Sequence, residues 1–268
     1  MLWNAHNGTI RLDGASMSYA SFGHGEKAFA MLPGLSDGLA TVKGKALLLA
    51  KPYEAFFDRY TVYMFSRRDD LPRGFSIRDM AADQAAALQS LGIERASIMG
   101  VSQGGMIAQY LAIDYPELVE KLVLAVTAPY PSQMSCDCVG SWVQMAHRGD
   151  HKALMVDTAE RSYSPAYLAR YRMAYPVLGM VGKPKSYDRF LANAEAILGF
   201  DARDDLGRIL CPTLILAGED DRIVGVDASY ELHERIAGSE LYVYPGLGHA
   251  AYEEAPDFNS RVLRFLDS

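Results

Sequence analysis

The residues best suited to chemistry lie in Gly100-Val101-Ser102-Gln103-Gly104. A largely apolar run, Ala96 to Met99, with β-branched Ile98 in it, precedes them, and an apolar-periodic stretch, Met106 to Tyr115, follows. This order reads as a strand, a sharp turn carrying a serine, and a helix. On such a turn the serine occupies a strained backbone conformation with its hydroxyl exposed above the sheet. Small residues two before and two after it let strand and helix approach closely, and Gly100 and Gly104 supply them.

A serine hydroxyl is a weak nucleophile at neutral pH, so Ser102 needs a general base and a carboxylate to orient that base. Of the six histidines, His6 and His24 lie near the start, His147 and His151 in a helical middle segment, and His233 on a solvated helix face. His249 alone occupies a glycine loop, Gly246-Leu247-Gly248-His249, directly after a strand-like run. An acid is expected from Gly218-Glu219-Asp220-Asp221-Arg222, which also follows a strand, and spacing alone leaves its three carboxylates as alternatives. The chain order of serine, acid and histidine is that of one triad architecture among several. Acyl transfer also needs backbone N–H groups aimed at the developing oxyanion. Gln103, opening the helix after the serine, offers one, and Leu35 in the glycine-rich loop Met31 to Gly38 offers the other.

Taken together, the chain resembles the α/β-hydrolase superfamily, in its capped, esterase-like branch. The residues that carry the resemblance are Gly100 to Gly105, Gly218-Glu219-Asp220-Asp221-Arg222-Ile223-Val224, and Gly248-His249 with Glu254, Pro256 and Phe265-Leu266. The family pattern places the acid three residues after the glycine, which implies Asp221 as the orienting acid, with Ser102 as nucleophile and His249 as base. Two departures stand out. Pro33-Gly34 replaces the His-Gly that usually precedes the oxyanion donor, and Ser66-Arg67-Arg68-Asp69-Asp70 replaces the common Asp-x-Arg-Gly-x-Gly, so no catalytic role is assigned there.

The elements that must hold these loops follow from periodicity. Residues 8 to 22 read as a hairpin around Asp13-Gly14. Ala28 to Leu32, Thr61 to Phe65, Ala96 to Gly100, Leu122 to Val126, Thr213 to Ala217 and Leu241 to Tyr244 read as strands, several buried on both faces. Helical stretches alternate with them. Ser76 to Leu91 carries Asp79 and Asp83 in its early turns and ends at Gly92, and Ala255 to Leu266 forms the last helix. The expected fold is α/β: a mostly parallel, eight-stranded sheet with helices on both faces, the α/β-hydrolase fold. Residues 1–127 and 207–268 form its core. Residues 128–206 hold helical patterns and no convincing strand, and are expected to form a cap over the carboxyl ends of the strands, where α/β sheets bind ligands.

Within that cap, Tyr163, Tyr167, Tyr171 and Tyr175 fall at four-residue intervals, with Ser164 as N-cap, Pro165 as first helical residue and Pro176 beyond the end. Met134, Met145, Met155, Met173, Met180 and Trp142 add apolar surface. Most of these residues are expected to fasten the cap to the sheet domain. Trp142, Tyr167 and Tyr171 are the candidates to line a substrate pocket.

Composition narrows the function further. Half of the 268 residues are hydrophobic and 22% are charged, an ordinary globular balance. The net charge of −7, from 26 basic and 33 acidic residues, comes without a long Lys/Arg run and gives no footprint for nucleic acid or an anionic membrane. A small-molecule substrate is the expectation. The N-terminal residues lack a basic stretch followed by an apolar one, so no secretory signal is read. Cys136, Cys138 and Cys211 form no even-numbered framework and no recognised zinc spacing, which suits packing residues in the reducing cytoplasm.

The function expected is a hydrolase, a serine esterase of small to medium carboxylic esters that needs neither metal nor cofactor. Relatives reuse the same triad for carbon–carbon bond hydrolysis and cofactor-free peroxidation, which are the alternatives within enzymes. A ligand receptor that keeps the fold but works by binding is a third.

Overall fold

A computed structural model describes residues 2–179 and 182–268, the side chains of Pro176 and Leu178 excepted. Its eight strands are β1 (His6–Leu12), β2 (Ala15–Gly23), β3 (Lys27–Leu32), β4 (Tyr60–Arg68), β5 (Ala96–Val101), β6 (Val119–Ala125), β7 (Thr213–Gly218) and β8 (Glu240–Tyr244). They form one sheet in the order β1-β2-β4-β3-β5-β6-β7-β8. β2 pairs antiparallel with both β1 and β4, and every pairing from β4 to β8 is parallel. The carboxyl ends of β3 to β8 therefore meet along one edge, where the loops carrying Leu35, Ser102, Asp221 and His249 emerge.

The central strands are apolar without alternation because each face has its own covering. Ile98, Leu122, Leu124 and Ile215 point into one buried cluster, and Met99, Val123, Leu214 and Leu216 into the other. Helices α1 (Ile77–Ser90) and α2 (Gln103–Asp114) close the first. The C-terminal helix closes the second with Phe258, Val262, Phe265 and Leu266. Burying apolar surface at roughly 25 cal/mol per Å² makes these two layers the main source of stability.

Local signals agree with the observed bounds in α1. The Ser76 side chain accepts from the Asp79 N–H while the Asp79 carboxylate accepts from the Ser76 N–H, a reciprocal cap. Gly92, at φ 69°, ends the helix in the left-handed region. Between β6 and β7 the described residues contain helices and no strand: α3 (Gln133–His147), α4 (His151–Ser162), α5 (Pro165–Tyr171), a short turn Tyr175–Leu178, and α6 (Asp188–Leu198). Beyond β7 come α7 (Val226–Arg235), α8 (Ala251–Glu254) and α9 (Phe258–Asp267).

Two expected helices differ. The last starts at Phe258 rather than Ala255, because Pro256 disfavours helical backbone at Ala255, which adopts φ −75°, ψ 117°, and the short α8 ends before it at Glu254. The tyrosine stripe is also shorter than the four-residue spacing suggests. Tyr163 is extended (φ −97°, ψ 155°), α5 stops at Tyr171, and Pro176 opens the next short helix instead of following the first. Met180, one of the expected cap methionines, lies outside the described residues.

Candidate active site

Ser102 stands between β5 and α2 with φ 53° and ψ −119°, a conformation that L residues rarely adopt. The surroundings hold it there. Its N–H donates to Ala125 O (2.9 Å), and its carbonyl accepts from Thr127 Oγ1 (2.7 Å). A Cβ on Gly100 would overlap the Gly104 carbonyl, and one on Gly104 would overlap Leu32 O on β3, so neither position admits a side chain. The Ser102 side chain remains partly open to solvent.

The neighbouring loop follows β3. Gly34 packs so closely that a Cβ there would lie 3.4 Å from Ser102 Cβ and 3.9 Å from its Oγ. Leu35 begins the single turn Leu35–Gly38, and Gln103 begins α2, so neither N–H has a carbonyl one turn earlier in its own helix. Among the described residues neither donates a backbone hydrogen bond elsewhere. Two free donors thus flank Ser102, one of them at the positive end of α2.

Of the three acidic candidates, Asp221 alone is buried, at 6% exposure, and reaches His249: Oδ2 lies 2.8 Å from Nδ1. Its other oxygen, Oδ1, accepts from the Ile223 and Val224 N–H groups (2.8 and 3.0 Å). Burial pushes the carboxyl up, but the charge and hydrogen bond of His249 and the two backbone donors outweigh it, and the pKa falls below the ordinary value. Glu219 and Asp220 are exposed. Their backbone N–H groups lace the acid loop to the histidine loop, onto Tyr244 O (3.0 Å) and Leu247 O (2.8 Å). Gly218 and Gly248 make that approach possible, since a Cβ on Gly218 would overlap Gly248 O.

His249 is buried and held from the insertion side as well. Ala250 N–H donates to Ser162 O (2.8 Å) at the end of α4, and the Ser164 N–H and Oγ bond Glu254 (2.9 and 2.6 Å). Tyr163 Oη bonds Glu253 (2.5 Å). No hydrogen bond between Ser102 and His249 is present among the described residues, while both stand at the same sheet edge; such bonds tighten when substrate seats.

The three expected pocket residues make their hydrogen-bond and ring contacts with other residues between β6 and β7. Trp142, 5% exposed, donates from Nε1 to Asp157 Oδ2 (2.8 Å) between α3 and α4. Tyr167 stacks on Tyr163 (ring centroids 4.3 Å apart) and meets Tyr171 at a tilt (4.4 Å). No hydrogen bond or ring contact among the described residues links Trp142, Tyr167 or Tyr171 to Ser102, Asp221 or His249.

A buried polar cluster beneath the site has no sequence signal beyond the unusual Ser66-Arg67-Arg68 string. Arg67, near the carboxyl end of β4, is 2% exposed and bonds Gln103 Oε1 through Nη2 (2.9 Å). Its N–H donates to Asp37 Oδ2 (3.0 Å). Burial lowers its pKa to about 10, against the opposing pull of Asp37 and with the help of the Arg189 charge, so it stays cationic at neutral pH. Among the described residues no cluster of three or more His, Cys, Asp or Glu could hold a metal ion. No helix among them is long and apolar enough to cross a membrane.

Comparison with known proteins agrees with this fold. Residues 30–259 match the family model described as "Alpha/beta hydrolase family". A Pseudomonas sp. protein named 2-hydroxy-6-oxononadienedioate/2-hydroxy-6-oxononatrienedioate hydrolase is 31% identical over 201 residues, 70% of each chain. A provisionally named carbamate hydrolase, RutD, of Caulobacter sp. (strain K31) is 29% identical over 252 residues, 87% of this chain and 89% of that one. The crystal structure of the enol-lactonase from Burkholderia xenovorans LB400 superposes with a TM-score of 0.81 at 22% identity, covering 97% of this chain and 100% of the other. At that identity the superposition speaks for the fold alone. The chain belongs to the alpha/beta hydrolase family.

Proposed function

We propose that the protein is a serine hydrolase that cleaves small to medium carboxylic esters through an acyl-enzyme. The observation that carries this reading is the buried Asp221–His249 pair at 2.8 Å, set on loops at the same sheet edge as the strained Ser102 turn. Asp221 fixes the imidazole tautomer, with the proton on Nδ1, which leaves Nε2 to accept the Ser102 proton. Ser102 Oγ attacks the ester carbonyl. His249 then returns the proton to the departing alkoxide, and a water activated by His249 releases the acid. The Gln103 and Leu35 N–H groups receive the oxyanion in both steps. No metal or cofactor enters this chemistry.

The insertion supplies the pocket walls in this reading, with Trp142, Tyr167 and Tyr171 as candidate contacts for the apolar part of the substrate. The cytoplasm suits three unpaired cysteines. A second reading, hydrolysis of a carbon–carbon bond, draws support from the Pseudomonas relative, whose name describes a hydrolase of a dienedioate. Product analysis separates the two. Ester substrates should release alcohol and acid while vinylogous diketones persist, and a Ser102-linked fluorophosphonate adduct detected by intact mass should be lost in Ser102→Ala. Turnover of the diketones with inert esters would favour the second reading.

A further inference from the structure

The first turn of α6 grips both sides of the Ser102 site. Arg189 Nη2 bonds Asp37 Oδ2 (2.6 Å) and Arg67 O (3.1 Å), its Nη1 bonds Asp37 O, and its Nε bonds Arg68 O (3.2 Å). All four acceptors belong to the Leu35–Gly38 turn or to the carboxyl end of β4. Four residues on, Asn193 O accepts from Gln103 Nε2 (2.8 Å), and the Asn193 Nδ2 donates back to Arg189 O (2.8 Å). The Phe190 backbone lies against Gly38, where a Cβ would come within 2.9 Å of Phe190 Cα. Arg67 closes the circuit from below, touching Asp37 and Gln103 together.

Asp37 follows Leu35 by two residues, and Gln103 is the other candidate donor. The Asp37 side chain is 1% exposed and compensated by Arg189 and, at 3.7 Å, by Arg67. Removing one partner from such a buried pair destabilises the charge left behind, so the turn cannot keep its place indifferently once α6 moves. We propose that Arg189 is a positioning residue through which the seating of α6 on the sheet domain sets the Leu35 and Gln103 N–H groups, so that closing the insertion and completing the oxyanion site are one event. This rests on the serine hydrolase reading above. It also accounts for Pro33 at the position where a histidine usually anchors the loop: the anchor comes from the insertion instead.

The test compares Arg189→Met, which keeps length and loses every donor, with Arg189→Lys and with Arg172→Gln, an exposed insertion residue as control. Each is measured for p-nitrophenyl butyrate kcat and KM, affinity for a trifluoromethyl ketone, rate of Ser102 labelling by a fluorophosphonate, and Tm. Losing one oxyanion donor costs about 10²–10³ in kcat, and a misplaced one costs about tenfold or more. Arg189→Met should lower kcat and the labelling rate by that factor, weaken the trifluoromethyl ketone in proportion, and leave KM within about threefold. Arg189→Lys should recover part, and Arg172→Gln should match the wild type.

Wild-type kcat, labelling and ketone affinity in folded Arg189→Met would overturn the proposal, as would a loss confined to KM. Should Arg189→Met not fold, Arg189→Lys carries the same comparison. A wild-type protein labelled at Ser102 but inert to esters would overturn only the ester reading, and the labelling rates would still decide the role of Arg189. A wild type that resists labelling would overturn both.

Discussion

Asp221 spends one carboxylate oxygen on the His249 ring and the other on two backbone N–H groups, so acid, base and the loop between Gly218 and Val224 form one rigid unit. The carboxylate has no freedom to turn away from the imidazole. Asp221→Asn keeps the size and replaces a charged acceptor with an amide, which favours the wrong imidazole tautomer. Its kcat on esters is expected to fall by about 10³–10⁴-fold with KM little changed. A loss under tenfold in steady-state kinetics would show that His249 takes its orientation from elsewhere.

The same pair sets an acid limit on stability. The folded Asp221 carboxyl titrates below its ordinary value of 3.8, so its contribution is fully present above that pH and is lost as pH falls through the lower folded value. Differential scanning calorimetry should therefore show a falling Tm for the wild type as pH drops below about 4. The slope should be shallower in Asp221→Asn, and identical slopes would contradict the assignment.

Two glycines beside Ser102 should respond in opposite ways to an added methyl group. Gly104→Ala drives a Cβ into the Leu32 carbonyl and should cost about 3 kcal/mol or more, read as a lower urea midpoint. Gly34 has ordinary backbone angles, φ −71° and ψ −165°, and room for a contact at 3.4 Å. Gly34→Ala should fold normally and lose activity most on esters with bulky acyl groups, because the methyl sits beside Oγ. Equal stabilities for the two variants would contradict the placement of these loops.

Trp142 tests how the insertion holds together. Trp142→Phe leaves a smaller aromatic ring and removes the donor to Asp157, which Arg161 still contacts at 2.8 Å. One partner survives, so the cost should be about 1 kcal/mol, or a Tm lower by about 2–4 °C. An unchanged Tm would mean the Nε1–Asp157 bond contributes nothing net.

The strand segments and the serine turn were readable because both are local. A short, largely apolar run, two glycines and an apolar period announce β5, Ser102 and α2 within twenty residues. The Ser76–Asp79 cap is local in the same way. The acid was half readable: three carboxylates share one loop, and only the lacing of that loop to Gly246–Gly248 decides which of them turns inward. The Arg67, Asp37, Arg189 and Asn193 cluster was not readable at all, since Arg189 meets Asp37 across 152 residues and a buried arginine looks like any other in sequence. The tyrosine spacing misled for a related reason. A four-residue repeat continues through a helix end, and the helix stops at Tyr171 while the repeat runs to Tyr175, whose hydroxyl turns to Glu160.

The central claim is that Ser102 is an ester-cleaving nucleophile. Hydrolysis of p-nitrophenyl esters of increasing acyl length, by the wild type and by Ser102→Ala, tests it most directly. Activity that peaks at one chain length and vanishes in the variant is the predicted result. Equal rates in the two proteins, or no hydrolysis by either, would contradict it.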